Sequence, residues 1–241
     1  MELITFAVSR NWPNWMEARN NSARLDDLLK TAWSLKDKVL YVWGGGWNEE
    51  DNGGGDALHL GILPEWKNWY EAHKDGYDFE QYRYQIHQGL DCSGYISWVL
   101  YNIFPLKTDY VVQAEVYASH LASLDLGTFT PAAEVDHIKA GDILSTETGH
   151  VILALGEYPD GSRLLLHASP PGVRLSGTKG QAYQEALRFQ KNGWDPLAKE
   201  DYLHYDRFRF HPDILLDPNG WSDLSPDEIA EKLDQLTDHF V

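Results

Sequence analysis

The amino-acid sequence predicts an α+β fold in which N-terminal helices pack on a mostly antiparallel sheet. Three features indicate this class. Apolar residues recur at helical spacing in the first half of the chain, short apolar runs separated by turn residues begin after residue 141, and the predicted helices largely precede the predicted strands.

Two helices are predicted before residue 105. The first covers residues 22–38 with Ser22 as its N-cap, and its apolar positions are Leu25, Leu28, Leu29, Ala32 and Trp33. The second lies in the stretch QGLDCSGYISWVLYNIF, residues 88–104, and its apolar stripe consists of Ile96, Val99, Leu100 and Ile103. Pro105 ends this helix, because the residue before a proline avoids the helical conformation.

Strands are predicted from residue 141 onward. The runs GDILS, GHVILALGEY and SRLLLHAS are short and apolar, and the turn sequence YPDGS separates the last two, which predicts an antiparallel hairpin. The later stretch DRFRFHP alternates and predicts a further strand. Ser225 and Glu228 match a capping box, which predicts a final helix that ends near residue 239.

Composition excludes several classes of protein. A hydrophobic content of 43% is enough for a packed core, and no apolar run approaches the length of a membrane span. The formal net charge of −17 argues against binding to nucleic acid or to anionic lipid. We therefore expect neither a nucleic acid nor a membrane as a partner. A single cysteine cannot form an intrachain disulfide.

That cysteine, Cys92, lies where a helix begins. With Asp91 as the N-cap, Cys92 falls in the first turn, where unpaired backbone N–H groups and the helix dipole favour an anion. This setting lowers a thiol pKa and is typical of a nucleophile, and Ser93 and Gly94 leave room for a substrate. The alternative is a structural cysteine, because free cysteine is among the most buried residue types.

Two of the ten histidines have positions suited to a base and its partner. His150 begins GHVILALG and His167 closes RLLLHAS, on the two strands of the predicted hairpin. A turn centred between Tyr158 and Pro159 places them directly opposite each other. A centre half a position away places them on opposite faces of the sheet, and a centre one position away makes them diagonal neighbours. The alternative is that each is an ordinary half-buried histidine.

No metal or cofactor site is expected. The sequence contains no HExxH motif, and a single cysteine cannot build a thiolate site. The glycine triplets at residues 44–46 and 53–55 are not followed by the Gly-Lys-Ser/Thr of a phosphate loop.

Four motifs taken in order resemble those of NlpC/P60 cysteine peptidases. They are YVWGGG, DCSGYISWVLY, GDILSTETGHVILALG and LLHASPPGVRLS, and they lie between residues 39 and 176. The resemblance implies a papain-like α+β core with Cys92 as the nucleophile. It implies His150 as the base, within hydrogen-bond reach of the sulfur, and His167 behind it as the polar third member.

The resemblance also assigns residues around the nucleophile. Tyr41 matches the family tyrosine beside the active site, and its hydroxyl would join the Cys92 backbone N–H in holding the oxyanion. Asp91 and Ser93 match positions that help to bind the substrate. The HAS motif departs from the family pattern, because Pro170 and Pro171 follow it.

The chain divides accordingly into three parts. Residues 1–38 are an N-terminal helical extension, residues 39–176 are the catalytic core, and residues 177–241 are a C-terminal extension packed on the core. Within the core, residues 47–88 form an aromatic-rich insertion that departs from the family pattern. We expect this insertion, with Trp47, Trp66 and Trp69, to wall one side of the cleft and to set specificity.

The implied activity is that of a bacterial cell-wall thiol protease. Such an enzyme hydrolyses amide bonds in peptidoglycan stem peptides or muropeptides, here between D-γ-glutamate and a diamino acid, either meso-diaminopimelate or lysine. Alternatives on the same fold are an amidase, an acyltransferase or a delivered toxin. A further alternative is a non-catalytic module that binds cell-wall ligands.

The sequence leaves the location of the protein open between two cases. The first residues, MELITFAVSRNWPNW, lack the basic region and long apolar run of a signal peptide. A full-length chain would therefore be cytoplasmic, whereas a chain whose leader has been removed would be secreted or associated with the cell wall.

Overall fold

The computed structural model describes residues 22–37, 39, 41, 90–104, 113–190 and 196–237, together with the backbone of two short strands. The strands are β1 (Ile4–Thr5), β2 (Ala23–Arg24), β3 (His59–Leu60), β4 (Gly127–Thr130), β5 (Ile143–Thr146), β6 (His150–Glu157), β7 (Arg163–Ser169), β8 (Gly172–Gly177), β9 (Asp206–Phe210) and β10 (Leu215–Leu216). The helices are α1 (Leu25–Ser34), α2 (Cys92–Ile103), α3 (Tyr117–Ser123), α4 (Gln181–Arg188) and α5 (Pro226–Thr237). The α+β class predicted from the sequence is confirmed.

Six strands form the main sheet in the order β4-β9-β5-β6-β7-β8. Each neighbouring pair in this sheet is antiparallel. The strand predicted from DRFRFHP is β9, and it lies between β4 and β5 rather than at an edge. The C-terminal stretch beyond residue 177 therefore supplies a central strand of the sheet.

Both faces of the sheet are covered by apolar side chains. On β6, Val151, Leu153 and Leu155 belong to the larger cluster, which also contains the buried residues of α1 and α2. The alternate positions Ile152 and Ala154 belong to a second cluster on the other face. This double burial explains why the strand is a nearly continuous apolar run.

The helix α1 begins three residues later than predicted. Ala23 and Arg24 pair in parallel with Leu215 and Leu216, so the segment is a strand before it becomes a helix. Ser22 is therefore not the N-cap, and that position is taken by Arg24 without a side-chain hydrogen bond. The predicted apolar face of the helix is buried in the larger cluster.

The other predicted helix boundaries follow local hydrogen bonds. Asp91 caps α2, because its carboxylate accepts the backbone N–H of Gly94 at 2.7 Å. The predicted capping box of α5 is formed: the Ser225 backbone N–H donates to the Glu228 carboxylate at 2.8 Å, and the Glu228 N–H donates to the Ser225 hydroxyl at 3.4 Å.

Candidate active site

The thiol of Cys92 lies at the N-terminal end of α2, against the start of β6. The residue is 6% exposed, and its S–H donates to the backbone carbonyl of Gly149 at 3.8 Å. The backbone N–H of Val151 also faces the sulfur. The sulfur thus contacts the chain on both sides of His150.

The pKa of this thiol is high. Burial, together with the negative charge of Asp91, raises the pKa of Cys92 to about 12, against the lowering effect of the nearby backbone N–H groups. The expectation that the helix start lowers this pKa is therefore wrong. The desolvation of a buried thiolate outweighs the favourable field of one helix end.

Asp91 and Ser93 contact each other at the helix start. The Ser93 hydroxyl donates to the Asp91 carboxylate at 3.0 Å, on the same oxygen that caps α2. Both side chains are partly exposed. They therefore fix the first turn of α2, and the exposed part of each is available to a ligand.

Tyr41 also lies next to the helix start, in an isolated β-bridge outside the strands of the sheets. Tyr41 pairs with Leu90, the residue before Asp91, and its backbone N–H donates to the carbonyl of Pro171 at 2.9 Å. The side chain is buried in the larger apolar cluster. The segment that contains Tyr41 is thus held between the start of α2 and the turn after β7.

A bulge in β6 decides where the two histidines lie. Near the turn the register pairs Glu157 with Arg163, and beyond the irregularity at Leu155 it pairs Leu153 with Leu166. Continued by one residue, this register makes His150 the diagonal neighbour of His167 on the same face of the sheet. The hairpin therefore adopts the third of the predicted registers, in which the two histidines are diagonal neighbours.

The histidines form a hydrogen-bonded relay. His150 Nε2 lies 2.7 Å from His167 Nδ1, and His167 Nε2 lies 2.9 Å from the Ser176 hydroxyl. The Ser176 oxygen also accepts the backbone N–H of Leu197 at 3.1 Å. Each link is of ordinary hydrogen-bond length, so the ring of His150 is held in one orientation.

Both rings are neutral at neutral pH. Burial, together with the charges of Lys199 and Arg174, lowers the pKa of His150 to about 4. Burial also lowers the pKa of His167, which is fully buried, well below its usual value. A neutral His150 next to a protonated thiol is the correct starting state for a general base.

The expected hydrogen bond between Cys92 and His150 is not formed among the described residues. The sulfur donates to the Gly149 carbonyl instead. Strand alternation gives the reason: His150 shares a face with Ile152 and Ala154, whereas α2 packs on the opposite face with Val151. The sulfur reaches the backbone on either side of His150, at the N-terminal end of β6.

Two tyrosines that the sequence analysis did not assign pack against the histidines, Tyr202 against both rings and Tyr205 against His150. The ring centroid of Tyr202 lies 6.0 Å from that of His150 and 5.6 Å from that of His167, and the centroid of Tyr205 lies 6.4 Å from that of His150. Their sequence signal was the pair of aromatics three residues apart, directly before the strand DRFRFHP. They shield the imidazoles from water and so lower the pKa of His150.

A short 3-10 helix, Glu200–His204, carries Tyr202 across the site. The buried guanidinium of Arg163 fixes it, because Nη1 donates to the carbonyls of Tyr202 and Leu203 at 3.3 and 3.1 Å. The Nε–H of the same guanidinium donates to the Glu157 carboxylate at 3.0 Å. The hairpin β6–β7 therefore anchors the C-terminal segment that covers its histidines.

A cleft of about 410 Å³ opens beside His150. It is lined by Thr146, Thr148, His150, Ser169, Lys199, Asp201, Tyr202, His204 and Tyr205. Five of these residues come from the stretch 199–205, in the part of the chain predicted as a C-terminal extension. The volume is sufficient for an amino-acid residue or a short peptide segment.

No family model, curated protein or solved structure matches this chain. The geometry and chemistry of the site therefore carry the functional conclusion.

Within the described parts of the chain, no group of three or more His, Cys, Asp or Glu side chains is arranged to hold a metal ion. Among the same residues, no helix has the length and apolar character needed to cross a membrane. The insertion at residues 47–88, including Trp47, Trp66 and Trp69, lies outside the described residues apart from the backbone of β3.

Proposed function

We propose that this chain is a cysteine peptidase with the papain-like fold of the NlpC/P60 family, and that it hydrolyses amide bonds in peptidoglycan stem peptides or muropeptides. The bond that it cuts joins D-γ-glutamate to a diamino acid. One observation carries the proposal: the only thiol of the chain, at a helix start, contacts the carbonyl next to His150, whose ring begins a buried His-His-Ser relay. Residues 39–176 form the catalytic core in this proposal.

The reaction begins with a protonated Cys92 thiol and a neutral His150 imidazole. When substrate binds, the Cys92 thiol leaves the Gly149 carbonyl and gives its proton to His150, while the sulfur attacks the amide carbonyl. The backbone N–H of Cys92 and the hydroxyl of Tyr41 hold the oxyanion. The C–N bond then breaks, His150 returns the proton to the leaving amine, and water releases the acyl group from the sulfur.

The relay sets the proton positions that this chemistry needs. For His150 to accept a proton at Nδ1, its Nε2–H has to donate to His167 Nδ1, and His167 Nε2–H has to donate to Ser176. Among the described residues, Nδ1 of His150 has no hydrogen-bond partner. Nδ1 of His150, the atom that must receive the thiol proton, is therefore available to accept it.

Mass spectrometry of muropeptides incubated with the protein tests the proposal. The wild-type protein should produce two fragments separated at the D-γ-glutamyl bond, and Cys92→Ala should lower the rate by several orders of magnitude. Circular dichroism of both proteins provides the control for folding. A Cys92→Ala protein that retains a tenth of the activity would exclude Cys92 as the nucleophile. Cleavage of a different bond would identify an amidase instead, and a product in which the acyl group is joined to an acceptor other than water would identify an acyltransferase.

A second candidate is a non-catalytic module that binds a cell-wall peptide. It is favoured by one observation, the buried neutral thiol that donates to a backbone carbonyl rather than to His150. Calorimetric titration with a muropeptide distinguishes the two candidates. Binding without turnover, equally strong in wild type and Cys92→Ala, would support the module.

A further inference from the structure

The cleft beside His150 contains two tyrosyl hydroxyls that have no hydrogen-bond partner among the described residues. Tyr202 and Tyr205 both line the cleft, although the two residues are only 2% and 6% exposed. The hydroxyl of Tyr158 also lacks a partner, but it is cut off from solvent, whereas the hydroxyls of Tyr202 and Tyr205 are not. Each of these two buried rings therefore presents its hydroxyl to the cleft, where a bound molecule can complete the hydrogen bonding.

Tyr205 lies close to the groups that react. Its ring centroid is 6.4 Å from that of His150 and 5.5 Å from that of Tyr202. Burial raises the pKa of Tyr205, as do the negative charges that Tyr202 and Cys92 carry when ionised, so the sulfur is also near this side chain. The hydroxyl therefore stays neutral, and it can both donate and accept a hydrogen bond.

The second half of the proposed reaction needs a water molecule beside His150. Cleavage of the amide leaves the acyl group on Cys92 as a thioester, and the leaving amine departs from its position against the His150 ring. Water has to take this position, because the imidazole that protonated the amine must now remove a proton from the water. His150 lines the cleft and Cys92 does not, so the water approaches from the cleft.

We propose that Tyr205 is a further catalytic residue, whose hydroxyl binds and orients the water that hydrolyses the acyl-enzyme. The inference rests on the proposed function. One hydrogen of the water points to Nδ1 of His150 and the other to the Tyr205 oxygen, so that a lone pair of the water faces the thioester carbonyl. A bound water needs two to four polar partners, and these two groups supply the minimum.

The step balances without a further reactant. The water oxygen attacks the thioester carbon while His150 takes one of its protons, and the tetrahedral intermediate then breaks its C–S bond. The imidazolium returns the proton to the departing sulfur, so the products are a free carboxylic acid and the Cys92 thiol. The Tyr205 hydroxyl keeps its own proton throughout. Its removal should therefore slow hydrolysis of the thioester and leave the attack of Cys92 on its substrate unchanged.

The test separates the two halves of the reaction with p-nitrophenyl acetate, an activated ester that requires no recognition of a muropeptide. Peptide mass spectrometry of acid-quenched samples follows the gain of an acetyl group on Cys92 and, after the ester is removed by gel filtration, its loss. Tyr205→Phe should gain the acetyl group at the wild-type rate and lose it about tenfold more slowly, as expected for one missing hydrogen bond. A merely structural role would lower both rates together.

Tyr158→Phe is the matched control for this substitution. Tyr158 is 4% exposed, close to the 6% of Tyr205, and its hydroxyl also has no partner among the described residues, but it does not line the cleft. Tyr158→Phe should therefore lose the acetyl group at the wild-type rate. Tyr205→Phe keeps the packed ring and gives up no hydrogen bond within the described part of the chain, so we expect it to fold, which circular dichroism checks.

Three results would overturn the inference. They are equal loss of the acetyl group from wild type and Tyr205→Phe, a gain that is slowed in Tyr205→Phe as much as the loss, and no acetylation of Cys92 in the wild-type protein. The proposed function is tested separately with muropeptides. Acetyl turnover that depends on Tyr205, in a protein that cuts no muropeptide, would contradict the proposed substrate alone.

Discussion

His150 Nε2 and His167 Nδ1 lie 2.7 Å apart because β6 contains one residue more than its partner strand requires. The register next to the turn, in which Glu157 pairs with Arg163, would place the two histidines on opposite faces of the sheet if it continued unchanged. The bulge at Leu155 shifts the register by one residue and returns them to one face. The relay depends on this irregularity.

Gly156, next to the bulge, has a backbone conformation that favours glycine. Its φ is +137°, and a Cβ atom added there would lie 3.1 Å from Pro226 Cγ in α5. We expect Gly156→Ala to lower the free energy of unfolding by about 2–3 kcal/mol, through backbone strain and this contact. Urea denaturation monitored by circular dichroism measures the change.

The matched control for this substitution is Gly161→Ala. Gly161 also has a positive φ, of +79°, but an added Cβ would meet no atom within 4 Å. Its cost should be backbone strain alone, about 1 kcal/mol. Equal losses in the two variants would show that the packing of the bulge against α5 contributes nothing.

The resting thiol of Cys92 should react slowly. Because burial raises its pKa to about 12, alkylation by iodoacetamide near pH 8 should be slower than that of N-acetylcysteine. Asp91→Asn keeps a side-chain oxygen that can cap α2 and removes the charge that raises this pKa, so it should react faster than wild type. The chain has no other cysteine, so mass spectrometry reads the modification directly. Wild-type alkylation faster than that of the free thiol would contradict the neutral resting state.

Stability should fall as the pH is lowered from about 6.5 to about 4. In this window the unfolded chain protonates His150 and His167 while the folded protein keeps them neutral, so the unfolded state binds more protons. The contribution of His150 is fully present above pH 6.5 and amounts to roughly 3 kcal/mol at most, less to the extent that water in the cleft solvates the ring. Urea denaturation at a series of pH values measures it.

Two histidine variants test the origin of this dependence. His150→Gln should flatten the fall in stability between pH 6.5 and 4. His137→Gln, at an exposed position away from the relay, should leave it unchanged. The same slope in wild type and His150→Gln would rule out the buried imidazole as its source.

Tyr202 should act as a positioning residue for His150. Removing its ring in Tyr202→Ala admits water to the imidazole, so the pKa of His150 should rise toward its usual value. The rate of hydrolysis should fall because the ring no longer packs against His150 and holds it in place. Tyr202→Phe keeps the ring and should keep this pKa. Titration of the histidine ring signals by NMR measures the pKa independently of activity, and an unchanged value in Tyr202→Ala would refute the role.

Much of the local structure was predicted from the sequence because it depends on neighbouring residues. The Asp91 cap, the Ser225–Glu228 capping box and the apolar stripe of α2 each involve contacts within four positions along the chain. The start of α1 was predicted wrongly, because its first residues pair with Leu215 and Leu216, far away in sequence. Sequence patterns over a few neighbouring residues do not reveal a strand partner that lies far away in the chain.

The sequence by itself determined the α+β class, the hairpin that carries His150 and His167, and the location of Cys92 at a helix start, since periodicity, turn residues and caps act over a few residues. The tertiary structure alone decided the register of that hairpin, the insertion of β9 into the middle of the sheet, and the packing of Tyr202 and Tyr205 on the two imidazoles. It also decided the charge states, because the pKa of a thiol or an imidazole depends on how completely distant segments exclude water from it. A bulge of one residue and a tyrosine 52 positions beyond His150 therefore determine whether the predicted residues can work together.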